Sequence, residues 1–242
     1  MRTDLPPISE IWVYLSGSPL LALVLTLSAY LLGLTLYERS ERNPLANPVL
    51  IAVILVTLSI HMLDMPYVKY FEGAQFVHFL LGTATVSLAI PIYKGFGSLK
   101  GRMGILMLSL LAGGVTSVFT AVGMARWLGV DEALVRGLVA KSVTAPIAMG
   151  IAERVQASPT LTAIFAVSTG ILGAVLGRYV LDVLRITAWW QRGFALGVAA
   201  HGIGTSRAFS VHPEAGAYAS LGMGLHGILA AMLIPYAVSF WF

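Results

Sequence analysis

Four stretches of the chain carry no Asp, Glu, Lys or Arg: 11–37, 103–125, 155–177 and 215–242. Each reaches the roughly 20 residues that an α-helix needs to cross a bilayer core. Two further stretches, 43–60 and 73–93, are weaker candidates of the same kind. The pattern predicts helical spans near 16–37, 48–64, 75–93, 103–126, 160–181, 187–207 and 216–241. The fold class is therefore an all-α integral membrane protein with seven or eight transmembrane helices, a single domain over 1–242. The segment 131–153 is ambiguous. Asp131, Glu132, Arg136 and Lys141 fall in its first half and Pro146 in its middle. A continuous helix would sink Lys141 to mid-membrane, whereas a re-entrant pair of half-helices would not. Loop charges favour the re-entrant form, with the N-terminus outside and the C-terminus inside, because cytoplasmic loops collect Lys and Arg.

Composition agrees with the pattern. Charged residues make up 11% of the chain and hydrophobic ones 57%, against about 25% charged in soluble domains. The formal charge of +4 is spread over short loops, so it reads as a topology signal and not as a nucleic-acid surface. No cysteine is present, which excludes disulfides and thiolate chemistry. The opening MRTDLPPISE lacks the basic start and short apolar core of a signal peptide.

Two internal echoes stand out. TVSLAIPI at 85–92 aligns with SVTAPIAM at 142–149, and the same offset sets Gly113 on Gly170. Repeat halves at 75–130 and 131–185 would then have opposite membrane orientation, as in carriers built from inverted repeats with interrupted helices. Small apolar sequence also aligns with itself without any such meaning. LGVAAHGI at 196–203 echoes LGMGLHGI at 221–228, and glycine at these sites lets helices approach closely. Gly170, Gly173 and Gly177 could serve a homodimer or pack inside one subunit.

Candidate chemistry gathers in KSVTAPIAM at 141–149 and HGIGTSRAF at 201–209. A helix starting near Ser142 and Thr144, with Pro146 in its first turn, aims free N–H groups and a positive dipole end at whatever lies before it. Lys141 adds a full charge, and the set suits a carboxylate. The plainer reading is a headgroup lysine before an ordinary cap. In the second stretch His201 can carry a proton, and Gly202 and Gly204 break the helix. Thr205 and Ser206 offer hydroxyls, and Arg207 can fork onto a carboxylate or pair with Glu214 as a gate. Plainly read, Arg207 snorkels and His201 bonds a neighbouring helix. Thr83 and Thr85 line a polar path or bond back to their own helix. No hydrolase, P-loop or metal-ligand spacing occurs, so neither an enzyme, a metal nor a cofactor is expected.

LGTATVSLAIPIY at 81–93, KSVTAPIAMGIA at 141–152, STGILGAVLG at 168–177, HGIGTSRA at 201–208 and SLGMGLHGI at 220–228 resemble the LrgB/CidB family of bacterial membrane proteins. Plant relatives of that family include the plastidial glycolate/glycerate translocator. Thr83, Ala145 and Ser206 depart from its usual pattern. The resemblance implies the bacterial cytoplasmic (inner) membrane and two functional readings. One is a carrier of small monocarboxylates such as glycolate, glycerate or pyruvate. The other is an antiholin- or holin-like regulator of murein hydrolase activity and autolysis, acting with a small LrgA/CidA-type membrane partner. Inward-facing polar groups favour the carrier, with Lys141, Ser142, Thr144, His201, Gly204, Thr205, Ser206, Thr83 and Thr85 at its site.

Overall fold

A computed structural model describes residues 19–87, 90, 93 and 101–241. Its described residues form helices α1 (Pro19–Arg39), α2 (Pro48–Met62), α3 (Tyr67–Ser87), α4 (Met103–Trp127), α5 (Glu132–Leu138), α6 (Ala145–Arg154), α7 (Pro159–Val183), α8 (Trp189–Val211) and α9 (Pro213–Trp241). Among the described residues four helices are long and apolar enough to cross a membrane: Leu20–Arg39, Met103–Trp127, Pro159–Val183 and Pro213–Ser239. The 15-residue α2 is apolar but short of a bilayer core at about 1.5 Å per residue. Leu108, Phe119, Leu172 and Ile228 stand exposed on these helices, as expected where lipid is the solvent.

The chain divides into two compact units, Met1–Ala84 and Thr85–Phe242. In the first, Asn47 Oδ1 accepts the backbone N–H groups of Val49 and Leu50 and so starts α2. Gly33 of α1 lies against the Pro48 carbonyl, and the Thr26 and Tyr70 hydroxyls share a 2.7 Å hydrogen bond.

The second unit contains two helical hairpins. The first is α5–α6. Arg136 of α5 donates to the Val155 carbonyl just past α6, at 3.5 Å. A straight helix would hold these residues about 28 Å apart, so the chain doubles back in the break at 139–144. At 7 and 10 residues, neither arm could cross a bilayer of about 30 Å.

The second hairpin corrects the membrane crossing expected at 187–207, whose break was expected at Gly202 and Gly204. Trp189 and His212, at opposite ends of α8, stack with ring centroids 4.9 Å apart and planes 7° apart. An unbroken helix would separate them by about 34 Å. The reversal occurs at His201, whose φ of 40° and ψ of −129° interrupt the helix. Helix α8 is thus two antiparallel arms, 189–200 and 202–211. Helix α9 packs on both. Gly193 and Gly197 of the first arm abut the carbonyls of Ala215 and Ala219 in parallel register, while Phe209 of the second arm abuts Gly216.

The hairpins approach from opposite ends of the spans. Arg102, before α4, stacks on Trp190 at 4.8 Å and donates to Tyr218 Oη at 3.2 Å. Arg126, at its far end, pairs with Glu132 at 2.6 Å. Helix α4 therefore runs from the base of the second hairpin to the base of the first. Helix α7 returns the other way, its Asp182 meeting Arg192 at 2.7 Å. Helix α9 runs in the direction of α4, since Ala230, Ile234 and Val238 share a core cluster with Val135, Val155 and Ala125. A second cluster of Leu106, Leu110, Phe194, Val198, Tyr218 and Leu221 fills the other end.

Candidate functional site

Both hairpin tips meet the first half of α7. From the first side, Gly137 lies against Thr162 and Phe165, and Val139, Ala140 and Val143 pack with Ala166. From the other side His201 donates its Nε2–H to the Ala166 carbonyl at 2.8 Å. His226 of α9 donates Nδ1–H to the Val198 carbonyl, also at 2.8 Å, which ties the first arm of the second hairpin to α9. The echo between the two His-Gly segments is thus two imidazoles each clamping a backbone carbonyl on a neighbouring element.

Close approach makes these clamps reachable. A Cβ on Gly170 would lie 2.7 Å from the His201 ring, and one on Gly173 would lie 2.5 Å from Ala200 Cβ. Gly177 is closed in the same way by Leu196. The small-residue face of α7 therefore packs against the second hairpin within the subunit.

Lys141 sits in the break between α5 and α6. Its Nζ donates to Ser117 Oγ at 2.8 Å and to Ser142 Oγ at 3.2 Å, and the two hydroxyls lie 2.7 Å apart. Ser117 is mid-helix, about 21 Å along α4 from Met103 and about 15 Å from Trp127. The ammonium is half-buried. The ion pairs of the described residues, Arg126–Glu132, Arg178–Asp182 and Arg192–Asp182, leave it without a carboxylate. Lys141, Ser117 and Ser142 line a cavity of about 740 Å³ together with Ser109, Thr169 and Gln191. Its remaining walls are mostly apolar, among them Leu106, Leu172 and Phe194. Ser109, Ser117 and Thr169 escaped sequence reasoning because they sit in uncharged spans. The signal was present: Ser109, Gly113 and Ser117 are four residues apart and share one helical face.

The other expected residues distribute as follows. Thr144 is at the N-cap of α6 but makes no side-chain cap bond. Its hydroxyl is buried without a partner among the described residues. Ser142, read as a cap, instead joins Lys141 and Ser117. His201, Gly204 and Thr205 are buried at and after the second tip. Thr205 Oγ1 donates to the His201 carbonyl at 2.7 Å. Gly204 lets the returning arm pass Leu196, whose carbonyl would lie 2.6 Å from an added Cβ. The break expected at Gly202 and Gly204 falls on His201. Ser206 is exposed. Arg207 is 9% exposed and belongs to a different cavity, with Arg178, Asp182 and Arg192. Glu214 is exposed in the first turn of α9. Thr83 is exposed and donates back to the Leu80 carbonyl at 2.8 Å; it belongs to the first unit. The side chain of Thr85 lies outside the described residues.

The conformation at His201 makes a prediction. A non-glycine residue at that φ and ψ costs on the order of 1–3 kcal/mol, offset by the ring's bond to Ala166. His201→Ala keeps the strained backbone and loses the bond, whereas His201→Gly loses the bond but relaxes the backbone. The Ala variant should melt below the Gly variant by about 1–3 kcal/mol of stability in detergent. A Gly variant less stable than Ala would remove the reversal from residue 201.

Comparison with known proteins fits this frame. The LrgB-like family profile matches residues 26–240. An uncharacterized protein of Bacillus subtilis, YwbG, is 34% identical over 221 residues, covering 91% of this chain and 98% of its own length. Holin-like protein CidB of Staphylococcus epidermidis is 28% identical over 218 residues, covering 90% and 95%. Its namesake from Staphylococcus aureus is 27% identical over 219 residues with the same coverage. No solved structure matches. With spans, hairpins and nearly all of its length inside that profile, the chain belongs to the LrgB-like family.

Proposed function

We propose that this protein is a carrier of small organic anions in the bacterial inner membrane, with Lys141 as the carboxylate-binding group. One observation carries the reading: a half-buried ammonium without a carboxylate partner among the described residues, mid-way along a membrane-length helix, in a cavity of about 740 Å³. Helix α6 begins at the same break and directs its positive dipole end toward it. Ser117, Ser142 and Thr169 offer hydroxyls to a hydroxy or keto oxygen, which fits glycolate, glycerate or pyruvate. The span-plus-hairpin units 103–154 and 159–211 run in opposite senses. They support an inverted repeat drawn at different limits from 75–130 and 131–185. Such an arrangement suits alternating access around a fixed central site. Any proton coupling through His201 would require its bond to Ala166 to open.

A second reading has its own support. Relatives bear the name holin-like protein CidB, and that name favours an antiholin- or holin-like control of murein hydrolases over a carrier. Nothing in those names speaks of a substrate. A small LrgA/CidA-type partner would belong to this reading.

One experiment separates the two. Sealed vesicles carrying the purified protein are loaded with a large fluorescent dye and assayed for exchange of labelled glycolate and pyruvate. A carrier retains the dye and exchanges the acid saturably. Dye release without saturable exchange overturns the carrier and supports a lesion. Retention of both dye and acid leaves the role of a regulatory partner subunit and also overturns the carrier.

A further inference from the structure

The cavity that holds Lys141 is long, and its two ends differ. Along α4 its wall runs from Ser117 through Gly113 and Ser109 to Ile105, and along α7 from Thr169 to Leu181. Each of these walls is about 18 Å of helix. The first arm of the second hairpin forms a third wall, and the cavity reaches Ile186 and Trp190 at that hairpin's base. There Arg102 stacks on Trp190, and Ile105 and Gln191 are exposed.

The other end is packed. On α4 the lining stops at Ser117 and on α7 at Thr169, and the first hairpin contributes Lys141 and Ser142 to it. Past them, toward Arg126 and Glu132, Val122 and Ala125 of α4 join Val135, Val139, Ile151 and Val155 in the first core cluster. None of these side chains is more than 6% exposed. From Ser117 to Ala125 this apolar plug is about 12 Å thick. A charge taken out of water without a partner cannot cross it while the side chains stay packed.

Polar groups mark the open stretch. Gln191, Ser109 and Thr169 line it on the way to Ser117 and Lys141. Ser109 shares the helical face of Ser117, about 12 Å nearer the start of α4. Thr120 of the same helix, outside the cavity, donates its hydroxyl back to the Thr116 carbonyl at 2.6 Å, as helical threonines commonly do. Ser109 and Thr169 make no such bond among the described residues, so their hydroxyls are available to the cavity. Groups of this kind at membrane depth are stable where water reaches them.

We infer that an anion reaches Lys141 from the Arg102 and Trp190 end alone, by way of Gln191, Ser109 and Thr169, and that the packed first hairpin closes the opposite way. Release on the far side then requires that hairpin to part from α4. The anion's use of the path rests on the carrier reading; the one-ended opening rests on the cavity and the plug.

The chain has no cysteine, so single introduced thiols report the path without background. Ser109→Cys and Thr169→Cys probe the path and Val122→Cys the plug. Thr187→Cys and Glu153→Cys, both at exposed positions, mark the two faces. Each variant is treated with a charged, membrane-impermeant methanethiosulfonate in right-side-out and in inverted membrane vesicles, and labelling is timed by intact mass. Ser109→Cys and Thr169→Cys should react in the preparation that labels Thr187→Cys. They should do so at least about tenfold faster than in the preparation that labels Glu153→Cys, because thiol chemistry follows exposure. Val122→Cys should react in neither. Equal rates for Ser109→Cys and Thr169→Cys in both preparations, a faster rate on the Glu153→Cys side, or no reaction in either would overturn the path. Reaction of Val122→Cys would do the same. The exchange assay tests the carrier and the side of labelling tests the path, so either can fail alone.

Discussion

Replacing Lys141 with alanine should abolish saturable uptake of small carboxylates while the protein still elutes as a folded, monodisperse species. The folding half follows from local geometry. The partners of the ammonium are Ser117 and Ser142, and these already hydrogen-bond each other at 2.7 Å, so removing the lysine orphans neither. It also removes a charge that lacks a carboxylate partner among the described residues, which is costly to keep away from water. The functional half follows from Coulomb attraction. A carboxylate about 4 Å from an ammonium gains roughly 4 kcal/mol at an effective dielectric of 20. That corresponds to about a thousandfold in Kd. Lys141→Arg keeps the charge on a longer, planar head and should retain part of the uptake. Uptake by Lys141→Ala at the level of the parent protein would take Lys141 out of the binding site and leave the cavity without its anion-selecting group.

The second large effect concerns Gly197. Its Cα faces the Ala219 carbonyl so closely that any Cβ would overlap it, and the obstacle is backbone that cannot rotate aside. Gly193 meets the Ala215 carbonyl in the same way one turn earlier. Gly197→Val must push the first arm of the hairpin off α9. That breaks the cluster of Phe194, Val198 and Leu221 and the bond from His226 to Val198. Overpacking typically costs 1–3 kcal/mol; with a main-chain obstacle and a lost clamp, about 3 kcal/mol or more is expected. Gly123→Ala is the control. It lies inside α4 with nothing within 4 Å of an added Cβ, and should be neutral or stabilising by about 0.5–1 kcal/mol. Melting curves in one detergent compare the two. If Gly197→Val melts with Gly123→Ala, the parallel packing of the hairpin on α9 is refuted.

Much of this architecture could be read from residue order. The absence of charge over 103–125, 155–177 and 215–242 located three of the long helices, because hydrocarbon tolerates few unpaired charges. The break around Lys141 was legible for a similar reason: Lys141, Ser142 and Thr144 ahead of Pro146 make a poor mid-membrane helix and a good helix start. A break near Gly202 and Gly204 was legible, but the fold-back of 189–212 into a hairpin was not. Its reversal falls on a histidine with two glycines after it, and a hydropathy window across 187–207 sees one apolar segment. Only pairings distant in sequence, Trp189 with His212 and Gly204 with Leu196, reveal the fold-back. The Lys141 site was half visible. The cation announced itself, but Ser109 and Ser117 belong to a span whose hydroxyls look like ordinary back-bonding residues. Arg207 stood out as a cation, but the cavity it lines is assembled from α7 and both arms of a hairpin that the order of residues conceals.

The two fold-backs bear on how the protein is made. Arms of seven to twelve residues are too brief to be stitched into lipid one at a time as they leave the ribosome. Each must wait for lipid-stable walls on either side and then slide in between them. The later fold-back has its seat on helix α9, at Ala215 and Ala219, so it has no lodging until that helix has been made. A nascent chain stopped short of that helix should leave this segment stranded at the membrane surface, open to quality-control proteases, while the rest is already inserted.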